Sequence, residues 1–158
     1  MRFVWCAITL MLVGIFANPL GNALPRRWFH ADRFPYKCYA WEREGKVYQK
    51  IAIHKWKDVV PDMSRVNPHM VSKRLGSLPT SAQVERLVQE TCVAECTHWV
   101  LILLSPLILL VDRPWGVWMM LVSMLLFNLP FVLIQRYNRP QLVKLASRLK
   151  AREERLNK

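Results

Sequence analysis

The chain has 158 residues, the length of one ordinary domain of about 100–150 residues. Its apolar residues are gathered in blocks rather than spread at helix or strand periods, which argues against a soluble core. The 23 Lys and Arg stand against 11 Asp and Glu, a net charge of +12, and the sequence holds no nucleic-acid-binding module. The partner implied by that charge is an anionic membrane surface and not nucleic acid.

The expected architecture is an all-α integral membrane protein, a single membrane domain over residues 1–158. The first block, residues 3–17, reads either as a secretory signal cut near Ala23 or as a short N-terminal anchor helix ended by Asn18-Pro19. A basic cytoplasmic segment follows over residues 25–96 and leads into a helix. Within it, Tyr48–Asp58 alternates in a way that predicts a short extended segment, with His54, Trp56 and Asp58 on one face and Lys55 and Lys57 on the other. Taken alone that is a solvated amphipathic edge; beside a membrane, its lysines suit a phosphate or an acyl-carrier group.

Helical pattern from Gln83 continues into the apolar run Trp99–Val111, so one long helix enters the membrane there. Asp112-Arg113-Pro114 turns the chain, and Trp115–Ile134 supplies 20 residues without a charge, the length of a span. Residues 99–134 therefore read as a helical hairpin, with Trp115, Trp118 and Tyr137 at the interfaces. Pro130 can kink the second helix, and Asn128 should face protein rather than lipid. Residues 141–158 form a basic amphipathic tail, read as an interfacial helix.

Thirteen Lys and Arg lie between Pro25 and Cys96, and eight lie from Arg136 onward. A hairpin puts both stretches on one side of the bilayer, and the positive-inside rule makes that side the cytoplasm. This favours the retained anchor over the cleaved signal. The four cysteines (Cys6, Cys38, Cys92, Cys96) have no zinc spacing and no CxxC pair, and read as reduced thiols.

Three constellations carry chemistry. On the helix Glu90–Trp99, Glu90, Thr91, Ala94, Glu95 and His98 share one arc where the chain enters the membrane, and ionisable groups there are costly. A carboxylate beside an imidazole suits proton removal from a hydroxyl nucleophile; an interfacial histidine in ordinary helix pairing is the alternative. Glu95-x-x-His98 is half of a di-iron motif without its second half, so no metal is expected. The lysine segment is the second constellation. The third is Asn128-Leu-Pro130 with Gln135-Arg-Tyr-Asn-Arg139, where Arg136 and Arg139 can clamp a phosphate or carboxylate, or simply mark a positive-inside stop.

Taken in order, Lys55-Trp-Lys-Asp58 with Pro61, Glu90-Thr with Ala94-Glu-Cys-Thr-His-Trp99, and Asn128-Leu-Pro with Gln135-Arg-Tyr-Asn-Arg139 resemble the glycosyl-4,4'-diaponeurosporenoate acyltransferase family. That family consists of small bacterial membrane proteins linked to the last step of staphyloxanthin-type carotenoid synthesis. The resemblance runs from Trp41 to Leu142 and is weakest over Asp62–Met70. It implies esterification of a fatty acyl group onto the primary sugar hydroxyl of a glycosylated carotenoid acid, or of a similar glycolipid. It implies His98 as the base, Glu95 orienting it and Glu90 assisting. Lys55, Trp56, Lys57, Asp58, Asn128, Arg136, Asn138 and Arg139 then bind substrate. The implied donor is cytosolic acyl-CoA or acyl carrier protein, the acceptor is a lipid in the membrane, and no cofactor is implied. A homo-oligomer is compatible with the sequence. Two other readings are a non-catalytic assembly partner and an acyltransferase acting on another lipid.

Overall fold

A computed structural model describes residues 2–57 and 79–157 of the chain. The protein is an all-α membrane protein; no strand occurs among the described residues. Two helical stretches, Ser81–Leu110 and Arg113–Leu156, are long and apolar enough to cross a bilayer. Their large side chains face outward: Leu103 is 74% exposed, Leu110 84% and Phe127 64%. In water such a surface would be an aggregation hazard, whereas in lipid it is the side facing the solvent. By packing, the chain divides into two compact units, Met1–Pro25 with Val93–Leu133, and Arg26–Cys92 with Ile134–Lys158.

The first unit holds α1 (Arg2–Ala23) and the hairpin. The sequence reading ends α1 at Asn18-Pro19, but the helix continues one turn beyond Pro19. Proline removes one backbone bond; the turn after it is instead held by packing, with Gly21 against Thr97 so closely that a Cβ there would meet Thr97 Oγ1 at 2.6 Å. Near the start of α1, Phe3 packs edge-on to Trp115, ring centroids 5.6 Å apart. Helix α3 (Ser81–Leu104) passes into a 3₁₀ segment, Ser105–Leu110, at Pro106. Helix α4 (Arg113–Val122) then begins with Asp112 accepting from the Trp115 N–H at 3.1 Å, an N-cap that makes the sharp turn. Gly116 allows the hairpin to close, since a Cβ would lie 3.2 Å from Ile108 O. A π-helical turn, Ser123–Asn128, joins α4 to α5 (Leu129–Leu156) just before Pro130.

The second unit has a core of Val84, Leu87, Val88 and Cys92 from α3 and Ile134, Tyr137 and Ala146 from α5, with Phe29, Tyr48 and Ile53 also buried. The start of α3 is fixed by a reciprocal capping box: Gln83 N–H donates to Thr80 Oγ1 at 3.2 Å and Thr80 N–H to Gln83 Oε1 at 3.0 Å. The basic tail is one helix with the end of the last span and runs through Pro140. Its Glu153 accepts from Ser81 N–H (2.9 Å) and Ser81 Oγ (2.5 Å).

The extended segment expected over Tyr48–Asp58 does not form over its described part, Tyr48–Lys57. Helical turns over Ala40–Ile51 lead into α2, Ile53–Trp56. The alternation misleads because packing buries Tyr48 and Ile53, five residues apart, on either side of Ala52 in the left-handed region. Trp56 turns back and donates its indole N–H to Ile51 O at 3.0 Å. Upstream, Arg43, Glu44 and Gly45 all have positive φ. At Gly45 (φ 88°) a Cβ would also stand 3.0 Å from Tyr137 O. Gly45→Ala is expected to destabilise the second unit by about 1–2 kcal/mol, from left-handed strain plus the contact. Gly14, on α1, has open space around its Cβ position, so Gly14→Ala is expected to be neutral. Denaturant unfolding of the two variants in detergent checks this contrast; equal effects would contradict it.

Candidate active site

In the first unit, α3 carries Glu95 and His98 into the apolar layer, and the π turn places Asn128 beside them. His98 Nδ1 lies 3.0 Å from Asn128 Oδ1. Asn128 in turn donates its Nδ2 hydrogens to Ser123 O (2.8 Å) and Ser123 Oγ (3.2 Å). The imidazole stacks on Phe131, centroids 4.6 Å apart and planes 17° from parallel. One hydrogen bond and one ring face thus position the half-buried imidazole. Glu95 is fully buried and accepts from Trp99 Nε1 at 3.3 Å. Residues three apart on a helix are surface neighbours, so Glu95 and His98 hold adjoining positions on α3.

In the second unit, the chemistry is that of buried ion pairs. Glu42, 1% exposed, accepts a fork of two bonds from Arg136, Nε at 2.7 Å and Nη2 at 2.8 Å. It also accepts from Tyr39 N–H (2.7 Å) and Tyr48 Oη–H (2.5 Å). Burial alone would raise the Glu42 pKa, but the bonds from Arg136, Tyr39 and Tyr48 outweigh it and hold the carboxyl below the ordinary 4.5. Burial, and then the Glu42 carboxylate, push the Tyr48 phenol well above its usual value. Arg136 also donates to Pro35 O and Lys37 O, both at 3.2 Å. Arg139 donates to Thr91 Oγ1 (2.9 Å), Thr91 O (3.1 Å) and Tyr36 O (2.8 Å). Glu90 makes a second fork with Arg26, at 2.9 and 3.1 Å, and pairs with Arg86 at 3.1 Å. Beside these ties lies a cleft of about 200 Å³ lined in part by Tyr36, Cys38, Glu42, Arg136, Arg139 and Lys144. Lys144 pairs with Glu44 at its edge.

The residues singled out from sequence are therefore distributed as follows. His98, Glu95 and Asn128 belong to the first unit, and Asn128 contacts the His98 ring directly. Lys55, Trp56, Lys57, Glu90, Arg136, Asn138 and Arg139 belong to the second. Lys57 Nζ is 5.8 Å from the Tyr137 ring centroid, which brings the lysine segment to the basic end of the last span. Lys55 is exposed and Asn138 half-buried. Asp58 lies outside the described residues, as does the weakly matching segment 62–70. Sequence reasoning missed Glu42, Tyr48, Ser123 and Phe131. Glu42 and Arg136 are 94 positions apart, and nothing in the spacing of one acidic residue reports such a partner. No disulfide joins any of the four cysteines.

Residues 25–148 match the model of the family described as glycosyl-4,4'-diaponeurosporenoate acyltransferase. The chain belongs to that family. A protein of the same name from Staphylococcus aureus (strain bovine RF122 / ET3-1) is 30% identical over 153 residues, covering 96% of this chain and 92% of the relative. The proteins of strains USA300 and NCTC 8325 / PS 47 are 29% identical over the same coverage. No solved structure matches the chain. This glycosyl-4,4'-diaponeurosporenoate acyltransferase family member therefore aligns with its relatives over nearly its whole length, both units included.

The depressed Glu42 carboxyl has a consequence with a definite sign. A group whose folded pKa lies below its unfolded value stabilises above the unfolded value, and loses that contribution as pH falls through the folded one. The second unit should therefore lose stability below pH 4.5, the ordinary value for Glu42. Glu42→Gln leaves the Arg136 charge buried without its counter-ion and is expected to cost about 3 kcal/mol at neutral pH. The difference between the variant and the native chain should shrink on acidification. Parallel denaturant curves from neutral to acid pH measure it, and a constant gap across that range would contradict the account.

Proposed function

We propose that this protein is a membrane O-acyltransferase that esterifies a fatty acyl group onto the sugar hydroxyl of a glycosylated carotenoid acid. Family membership supports the acyl transfer and the carotenoid acceptor. The observation that carries the mechanism is the fixed imidazole of His98 on a helix entering the membrane. In this reading His98 removes the proton from the primary sugar hydroxyl as its oxygen attacks the carbonyl of an acyl thioester. The new C–O bond forms, the C–S bond breaks, and the proton passes from His98 to the leaving thiolate. Glu95 favours the imidazolium that forms between those steps. The donor is acyl-CoA or acyl carrier protein on the cytoplasmic side, held through its phosphates by Lys55 and Lys57 and by the cations of the cleft, Arg136, Arg139 and Lys144. Because both arginines also tie the second unit together, their effect on the donor is that of fixed charges rather than of mobile clamps. No metal or organic cofactor takes part in these steps.

His98→Gln keeps the size and polarity of the side chain but cannot take the proton. It is expected to insert normally and to lose at least about a hundredfold in acyl transfer, the low end for a general base. Glu95→Gln should lower the rate less, while accumulating to the same level. A membrane assay of ester formation decides. Near-normal product from His98→Gln would end this mechanism, and failure of both variants to accumulate would favour a non-catalytic assembly role.

The orientation follows from the 13 basic residues between Pro25 and Cys96 and the eight from Arg136 onward. An impermeant thiol reagent applied to intact cells should reach a cysteine replacing Asp112, in a chain otherwise free of cysteine, and miss one replacing Lys55. Labelling at position 55 from outside would reverse the topology and rule out a cytosolic donor.

A further inference from the structure

Asn128 touches the proposed base through a single oxygen, and the π turn determines which oxygen that is. Ser123 O is a carbonyl and can only accept, so the Asn128 group 2.8 Å from it must be the NH₂ end of the amide. The Ser123 hydroxyl, 3.2 Å away, takes the second Nδ2 hydrogen. Flipping the amide would set two carbonyl oxygens against each other, in a layer where no water relieves the repulsion. The edge turned to His98 is therefore Oδ1, an acceptor 3.0 Å from Nδ1. A neutral imidazole facing an acceptor must present N–H to it, so the proton sits on Nδ1 and the lone pair on Nε2. Histidine free in water prefers the opposite form, so the protein imposes this one.

Resting on the reading of His98 as the base, we infer that Asn128, oriented by Ser123 across the π turn, is a positioning residue that holds the His98 ring in the Nδ1–H form and makes Nε2 the proton-accepting nitrogen. The backbone geometry serves this end. The π turn carries a backbone bond from Leu129 N–H to Met124 O, five residues back, and the Asn128 side chain spans the same five-residue interval to Ser123. In an uninterrupted α-helix, positions five apart point in different directions. Phe131, one turn further on, closes the ring's face, so the imidazole cannot rotate to exchange its nitrogens without losing both the stack and the bond.

The tautomer can be read without any activity. Protein labelled with ¹⁵N in its four histidines, reconstituted in lipid nanodiscs with the rings neutral, gives separate signals for protonated and lone-pair nitrogens; His98→Gln identifies the set belonging to His98. The expected native result is a protonated Nδ1, changing in Asn128→Leu to the Nε2–H form that water prefers. A native ring in the Nε2–H form overturns the inference without recourse to a variant, and so does a Nδ1–H ring that is indifferent to Asn128→Leu. In the acyl-transfer assay, Asn128→Leu should lower kcat about a hundredfold with KM for both substrates unchanged. Asn128→Asp, which as the neutral acid can donate to Ser123 O and still turn an acceptor oxygen to the ring, should recover most of the rate; equal loss in Asp and Leu variants counts against positioning through that oxygen. A Nδ1–H ring combined with a fully active His98→Gln protein removes the acyl-transfer role alone and leaves the tautomer assignment standing. An Nε2–H ring with an inactive His98→Gln protein does the reverse.

Discussion

A polar group inside a bilayer has no water to bond to, so each one carried into the hairpin needs a partner within the protein. This requirement explains the polar contacts along the first unit. Thr97 and Ser105 turn their hydroxyls back to the carbonyls of Val93 (3.0 Å) and Ile102 (2.8 Å). Asp112 is consumed in capping α4 and in pairing with Arg2 at 3.5 Å. Beside them stand the buried Glu95 carboxylate and the polar pair of His98 and Asn128, which cap no helix end. Lone hydroxyls are satisfied locally at little cost, but an imidazole and an amide facing each other demand two elements in register. Such expense within lipid is the physical ground for reading the pair as chemistry.

The second unit solves a different problem. Its apolar core is small, and the connections between Arg26–Ile51 and the helices are made by charged groups: the forks of Glu42 with Arg136 and of Glu90 with Arg26, and the Arg139 guanidinium donating to Tyr36 O. Replacing such pairs by apolar groups of matched shape is often neutral, whereas removing one partner is severe. Their value here lies in direction. A guanidinium fork accepts only one approach of a carboxylate, so the irregular turns with three successive positive φ values are seated in one arrangement. Apolar contacts alone would leave that loop many nearly equal placements.

Much of this was legible in the sequence because it follows from pattern. The charge-free run Trp115–Ile134, the stop at Asp112-Arg113-Pro114 and the helix through Glu90–His98 all report themselves by length, composition or period. The arc of Glu95 and His98 was legible for the same reason, since both lie on one helix. What escaped was set by partners remote in sequence. The turn at Arg43–Gly45 is seated against Tyr137, and Tyr48 and Ile53 are buried by packing, which overrode an alternating pattern. Pro19 carries too much weight as a helix end, because the packing of Gly21 against Thr97 compensates for one lost backbone bond. The bonds from Asn128 back to Ser123 escaped as well, because nothing in a sequence announces a π turn.

That π turn also has a bearing on how chains of this kind can diverge in length. Each helical residue advances the facing direction by about 100°, and a turn holding one residue more than α geometry needs takes up that advance within itself. Losing a single residue within Ser123–Asn128 would restore a plain α-helix and leave Phe131 close to the direction it now holds relative to Trp115 and Gly116. A change of one position is therefore absorbed here inside a helix, whereas elsewhere along the span it would turn every later side chain by about 100°. Aligned relatives with a one-residue gap at this point would keep the faces of both helices and lose only the five-residue interval that sets Asn128 on Ser123.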